Sequence, residues 1–219
     1  MDLCRVGIVL DSGTANEEVL DVSAQPCDWG SHSELACRVS SELNVELSLP
    51  TEANEHVVKN LWPLYVHDIS AYDPTLPNPH GILGLDRDVK TLNAQGETQA
   101  TWFRNPKALF PYLILVDGVP SGFNFIATGA YLPKGVELDF VIHEFFLLHQ
   151  HRGTGAAERA ATAGFDRHPG RWEIVTYPSN GLAISFWRRV VDRYTGGSFS
   201  QSEGKHFWGT RVIWRFDNS

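Results

Sequence analysis

Cysteine is scarce in this chain of 219 residues: there are three, Cys4, Cys27 and Cys37, an odd number with no close pair. That excludes a disulfide framework and the paired spacing of a zinc site, and it points to a reducing, cytoplasmic setting. The nine histidines are scattered without an H-x-x-x-H pair, so no metal is expected. No apolar run approaches the ~20 residues of a membrane-spanning helix. Residues 6–10, broken by Gly7 and preceded by Asp2, are too short for the core of a secretory signal. A basic excess is missing too. The formal net charge is −8, which argues against general nucleic-acid binding. Internal repeats and low-complexity runs are absent. What remains is the composition of an ordinary globular chain, 42% hydrophobic and 20% charged, long enough for one sizeable domain with or without an appendage.

The charge is unevenly spread. Residues 1–44 hold eight acidic residues against Arg5 and Arg38, and all three cysteines. Turn-rich stretches such as Asp11-Ser12-Gly13 and Asp28-Trp29-Gly30-Ser31 mark this part as an acidic N-terminal extension, with at most a short strand at 6–10. Residues 45–219 form the expected domain. Val45, Leu47 and Leu49 alternate as a strand. Pro50-Thr51 opens a helix whose stripe is Leu61, Tyr65, Ile69 and Tyr72, with Pro63 predicting a kink or a split into two. Residues 73–101 read as a long loop, ending in a helical turn at Trp102-Phe103. Residues 112–116 and 122–128 are strands joined by the hairpin signal Asp117-Gly118. A long strand follows over 137–148, a helix over 155–166, a strand over 172–176 and a helix over 181–193. Strands near 198–202 and 207–216 finish the chain. This order predicts an α/β (α+β) fold, a mixed central sheet with helices on both faces.

One stretch carries chemistry: Phe145-Phe146-Leu147-Leu148-His149-Gln150-His151-Arg152-Gly153-Thr154-Gly155-Ala156. It is an apolar strand, a turn with two glycines and a helix start. Glycines permit positive φ and close backbone approach, and the first turn of a helix presents unpaired N–H groups at its positive end. Together they suit a phosphate or pyrophosphate, although a plain strand–turn–helix connection has the same outline. It is neither a Walker A loop nor a full G-x-G-x-x-G. From Gln150 to Tyr194 seven arginines face four acidic residues, a local positive balance in an acidic chain.

Gln150-His151-Arg152-Gly153-Thr154-Gly155 resembles the Gln/Arg-x-x-Gly-x-Gly/Ala motif of the GNAT superfamily of N-acetyltransferases. Asn180, Ala183, Phe186 and Trp187 resemble that family's second signature, an Asn-led helix start. The resemblance covers residues 45–219. It implies a sheet whose fourth and fifth strands splay apart to admit the arm of acetyl-CoA, the co-substrate. It further implies that the N–H groups of Arg152, Gly153, Thr154, Gly155 and Ala156 hold the pyrophosphate, beside Gln150. The main chain of Phe146, Leu147 and Leu148 would bind the pantetheine, with Asn180, Phe186 and Trp187 near it; Asn180 equally suits a helix N-cap.

The implied reaction is attack of an amine on the thioester, which needs a base. Glu144 is the first candidate, on strand four. His143 competes with it, since alternation would send the two to opposite faces; Glu137 and Asp139 rank lower. Many family members carry a Tyr acid where Trp187 stands, and an indole does not titrate usefully. Tyr65, Asp68 and Tyr72 are the expected acceptor-binding residues, or alternatively packing and solvated groups. The acceptor is expected to be a small-molecule amine, with no nucleic-acid or membrane partner; a homodimer is left open. A non-catalytic acyl-CoA-binding sensor and a protein-amine acetyltransferase are the competing expectations.

Overall fold

A computed structural model describes residues 43–219 apart from 74, 85 and 86. The acidic extension and its expected strand thus lie, but for its last two residues, outside the described residues. The chain runs β1 (Val45–Ser48), α1 (Glu55–Ile69), α2 (Leu92–Glu97), β2 (Leu109–Val116), β3 (Val119–Ala127), β4 (Phe140–Leu147), α3 (Ala156–Arg167), β5 (Arg171–Thr176), α4 (Gly181–Thr195), β6 (Phe199–His206) and β7 (Gly209–Asp217). The seven strands form one sheet in the order β1-β2-β3-β4-β5-β7-β6. Every neighbouring pair is antiparallel except β4 and β5, which the α3 crossover makes parallel.

Strand alternation divides the core into two layers. One face carries Ile114, Ile126, Phe145, Ile174 and Trp214 under α3 and α4. The other carries Leu113, Phe123, Phe125, Val141 and Phe146 under α1. α3 approaches closely because its inward residues are Ala156, Ala157, Ala160, Ala161 and Gly164. The turn at Asp117-Gly118 takes φ 51 and 78, the doubly left-handed geometry that suits a tight hairpin. α4 closes on Gly196 at φ 60.

Two expectations need correction. α1 runs unbroken through Pro63, because Val58, Leu61, Trp62, Tyr65, Val66 and Ile69 bury one continuous stripe that outweighs the lost hydrogen bond. Proline at 63 leaves the Lys59 carbonyl without its helical donor. α2 packs at that point: a Cβ on Gly96 would lie 2.5 Å from the Lys59 oxygen. The stretch 73–101 is therefore no plain loop. Thr91 caps α2 through the Ala94 N–H at 3.1 Å, and a 3-10 turn over Ala100–Phe103 follows. Turn chemistry hid a six-residue helix too short to show a periodic stripe.

Candidate functional site

The site begins with a defect in β4. Phe125 of β3 lies opposite Glu144, and the next pair is Ile126 with Ile142. His143 is thus an extra residue, a β-bulge, which bends and twists the strand locally. On its other side β4 pairs with β5 only at Phe140–Trp172, Val141–Glu173 and Ile142–Ile174. Both strands continue, β4 to Leu147 and β5 to Thr176, without pairing. The parting starts at the bulge, and Phe145 and Trp187 pack edge to face beside it, 5.3 Å between centroids.

The glycine turn stands beyond the end of β4. Gly153 and Gly155 hold φ 75 and 88, and a Cβ on either would meet nothing within 4 Å. The N–H groups of Gly153, Thr154 and Gly155 bond to nothing among the described residues, and Ala156 N–H has only a 3.4 Å contact to Thr154 Oγ1. The positive end of α3 adds to this cradle. Two expected donors are already engaged. Arg152 N–H bonds the His149 carbonyl at 3.0 Å and Leu148 N–H bonds the Ser121 carbonyl at 2.8 Å. The Arg152 side chain also turns inward: Nε donates to the Leu147 carbonyl at 2.7 Å, and Nη2 pairs with Asp68. It braces the turn against α1. Gln150 lies at the surface against His151, 3.0 Å away.

Asn180 sits at the open end of the parting. Its Oδ1 caps α4 through the Ala183 N–H at 2.9 Å, while Nδ2 is buried with no partner among the described residues. An unpartnered buried amide is costly, and it is the kind of group that a polar ligand arm satisfies. The Trp187 indole N–H is likewise buried without a partner among the described residues. Phe186 packs on Trp187 at 4.9 Å. Glycines open to a ligand, free amides and this orphaned Asn fit coenzyme A. Gly153, Thr154, Gly155 and Ala156 would take its pyrophosphate, and Asn180 a carbonyl of its arm.

On the α1 face, Glu144 accepts a hydrogen bond from Tyr65, both fully enclosed. His143 lies on the same face. It contacts Trp102 at 5.0 Å and Trp208 at 5.3 Å, and its Nδ1 is 3.9 Å from Glu144 Oε1. Simple alternation would have separated the two; the bulge brings both candidate bases together. Asp68 is tied to Arg152, and Tyr72 is half-buried against the α1 core. Asp139 and Glu137 lie away from this face, bound to Arg171 at 2.9 and 2.8 Å.

A second polar group escaped sequence reasoning. Glu173 of β5 is enclosed and receives Arg215 Nε at 2.7 Å and His206 Nε2 at 3.0 Å. Burial alone would raise its carboxyl, but bonds from His206 and Arg215 outweigh that and hold it below the usual range. Through His206 and Trp208 the β6–β7 hairpin folds onto β4 and β5. The signal was faint: charged residues alternating in β5 and β7. Among the described residues no group of three or more His, Cys, Asp or Glu is placed to hold a metal, and no helix is long and apolar enough to cross a membrane.

No family model matches the chain, and no curated protein matches it. Its backbone, however, is similar to solved acetyltransferases. Ribosomal-protein-S5-alanine acetyltransferase from Vibrio fischeri superposes with TM-score 0.54 at 14% identity, over 83% of this chain and 97% of that one. An aminoglycoside acetyltransferase in complex with coenzyme A gives TM-score 0.54 at 19%, over 80% and 95%. Mycobacterium smegmatis RimJ in complex with CoA-disulfide gives 0.52 at 16%, over 79% and 81%. The fold is therefore that of the GNAT acetyltransferases, as the two sequence signatures implied.

Proposed function

We propose that the chain is an acetyl-CoA-dependent N-acetyltransferase acting on the primary amine of a small molecule. The observation that carries this reading is the parting of β4 and β5 between two preformed features. Free amides of the glycine turn lie at its end, and the enclosed Glu144 carboxyl lies on its acceptor side. The fold supports it.

Acetyl-CoA supplies the activated acyl group. An amine near neutral pH is mostly protonated, so its proton must leave as it attacks. Glu144 takes that proton, directly or through water; Tyr65 holds one of its oxygens and so fixes its direction. His143 is the alternative acceptor. Strand N–H groups of β4 facing the parting stabilise charge developing on the acyl oxygen. Proton return to sulfur falls to solvent, since Trp187 does not titrate.

Among the acceptors named for the structural neighbours are an aminoglycoside and a ribosomal-protein alanine. A small molecule is favoured here because two indoles, Trp102 and Trp208, pack edge to face with His143 beside the candidate base, 5.0 and 5.3 Å between centroids. The competing reading is an acyl-CoA sensor without turnover, favoured by Trp187 and by the near-complete enclosure of Glu144, 2% exposed.

Coenzyme A release from acetyl-CoA across a panel of small amines, with wild type and Glu144→Gln, tests the proposal. Turnover with wild type and its loss in the variant is expected. Acetyl-CoA binding by calorimetry with no turnover on any amine selects the sensor. Absence of binding removes both readings.

A further inference from the structure

Arg211 of β7 is 7% exposed, yet no carboxylate pairs with it among the described residues. Its guanidinium lies over the Tyr177 ring, 4.0 Å from the centroid, and Nη1 donates to the Thr210 carbonyl at 2.8 Å. The Nε–Nη2 edge bonds nothing among the described residues. Elsewhere along the sheet that same edge is filled. Arg152 uses it on the Leu147 carbonyl and Asp68. Arg171 uses it on Asp139, at 2.9 and 3.2 Å. Arg215 uses it on Glu173, at 2.7 and 2.6 Å. A planar N–H fork held by stacking, with no carboxylate on it among the described residues, matches a bidentate anion.

Its place is specific. Glu173 pairs with Val141 on the side of the α1 core, and Tyr177 lies toward that same core. Tyr177 packs against the cluster that holds Tyr65 and Phe146. Its hydroxyl is held by Asp73 at 2.8 Å. Across from Arg211 on β6 stands Gly204, and a Cβ there would meet nothing within 4 Å. The residue opposite Arg211 thus adds no side chain over it, on the sheet face that carries Glu144.

We infer that Arg211 is the anchor for an anionic group on the acceptor, a carboxylate or a phosphate, so that the substrate is an amine bearing an acid at a distance from its nitrogen. This rests on the acetyltransferase reading. The stacked, half-pinned fork fixes the anion while the amine reaches toward Glu144.

The test compares short ω-amino acids of graded length, their carboxamides and the matching aminoalkylphosphonates. Each is assayed with acetyl-CoA and is also titrated calorimetrically into the coenzyme A-loaded protein. Wild type is expected to favour one class of acid over the amide by roughly tenfold to hundredfold, the range for a hydrogen-bonded charged group. Whether carboxylate or phosphonate leads identifies the anion. Arg211→Gln collapses that ratio toward one; Arg211→Lys, which keeps charge but not the fork, retains part of it. Equal affinity for acid and amide in wild type overturns the inference, as does a ratio kept in Arg211→Gln with only the acetyl-CoA KM raised. If nothing is acetylated, the failure belongs to the acetyltransferase reading, and the titration still decides on the anion site.

Discussion

Tyr65 of α1 donates its phenolic hydrogen bond to Glu144 of β4, joining helix and strand inside a core where neither group reaches solvent. Removing the carboxylate by Glu144→Gln is expected to lower the rate of acetyl transfer about 100-fold or more, the lower range for losing a general base. Acetyl-CoA affinity should stay as it is. Tyr65→Phe leaves a carboxylate one donor short and is expected to lower the rate less, with a shifted pH–rate profile. Steady-state kinetics on both variants across pH check this. An intact rate in Glu144→Gln passes the role to His143.

The orphaned amide of Asn180 separates stability from binding. Asn180→Ser retains an oxygen for the Ala183 N–H and removes the Nδ2 donor. Serine and asparagine are similar caps, so thermal unfolding should change little. Calorimetry with coenzyme A should show a loss of roughly fivefold to tenfold in affinity for one hydrogen bond. Asn180→Ala loses the cap as well, at about 1 kcal/mol.

Gly153 and Gly155 face open space, so alanine there meets no neighbour; its cost is the left-handed backbone alone. About 1–2 kcal/mol of stability is the expected loss at either position. Gly155→Val adds a side chain beside the free amides and is expected to weaken coenzyme A binding more than Gly155→Ala does. Denaturant unfolding and calorimetry read the two effects apart.

Asp68 and Arg152 form a nearly enclosed pair that connects α1 to the glycine turn. Breaking it by Asp68→Asn leaves a guanidinium without its counter-charge, at a cost of about 3 kcal/mol. The double variant with Arg152→Gln should cost less than the sum of the two singles. Chemical denaturation of all four proteins provides the cycle.

His168 is packed among Phe110 and Phe140 and bonds Tyr112 at 2.9 Å. Burial, then the nearby Arg167 charge, pushes its imidazole below the ordinary value. The unfolded chain therefore binds a proton first as pH falls. Stability is expected to decline from about pH 6.5 down to the folded value and to level off beneath it. His168→Gln should flatten that part of a melting-temperature profile.

Much of this was legible in the sequence for a local reason. Element order, the glycine turn and the Asn-led cap all announce themselves within a few residues, by period, turn chemistry or a known signature. The bulge at His143 does not, because the register of β3 against β4 is a relation between distant segments. It reversed one expectation, the separation of His143 from Glu144. Arg152 was legible as a cation but not as a brace, since Asp68 is 84 positions away. Glu173, His206, Trp208 and Arg211 look like ordinary strand residues until the hairpin is folded onto β4 and β5.

The carbonyl that Pro63 leaves without a donor, and the glycine seated on it, have a mechanical consequence. Gly96 fastens the far end of the stretch after α1 back onto the middle of the same helix, and Trp102 follows within two turns of chain. Tyr65, which holds Glu144, and Trp102, which packs against His143, are thus joined through one segment seated on α1. A substitution that lifts Gly96 from the Lys59 carbonyl is therefore expected to disturb the cover of His143 from the α1 side.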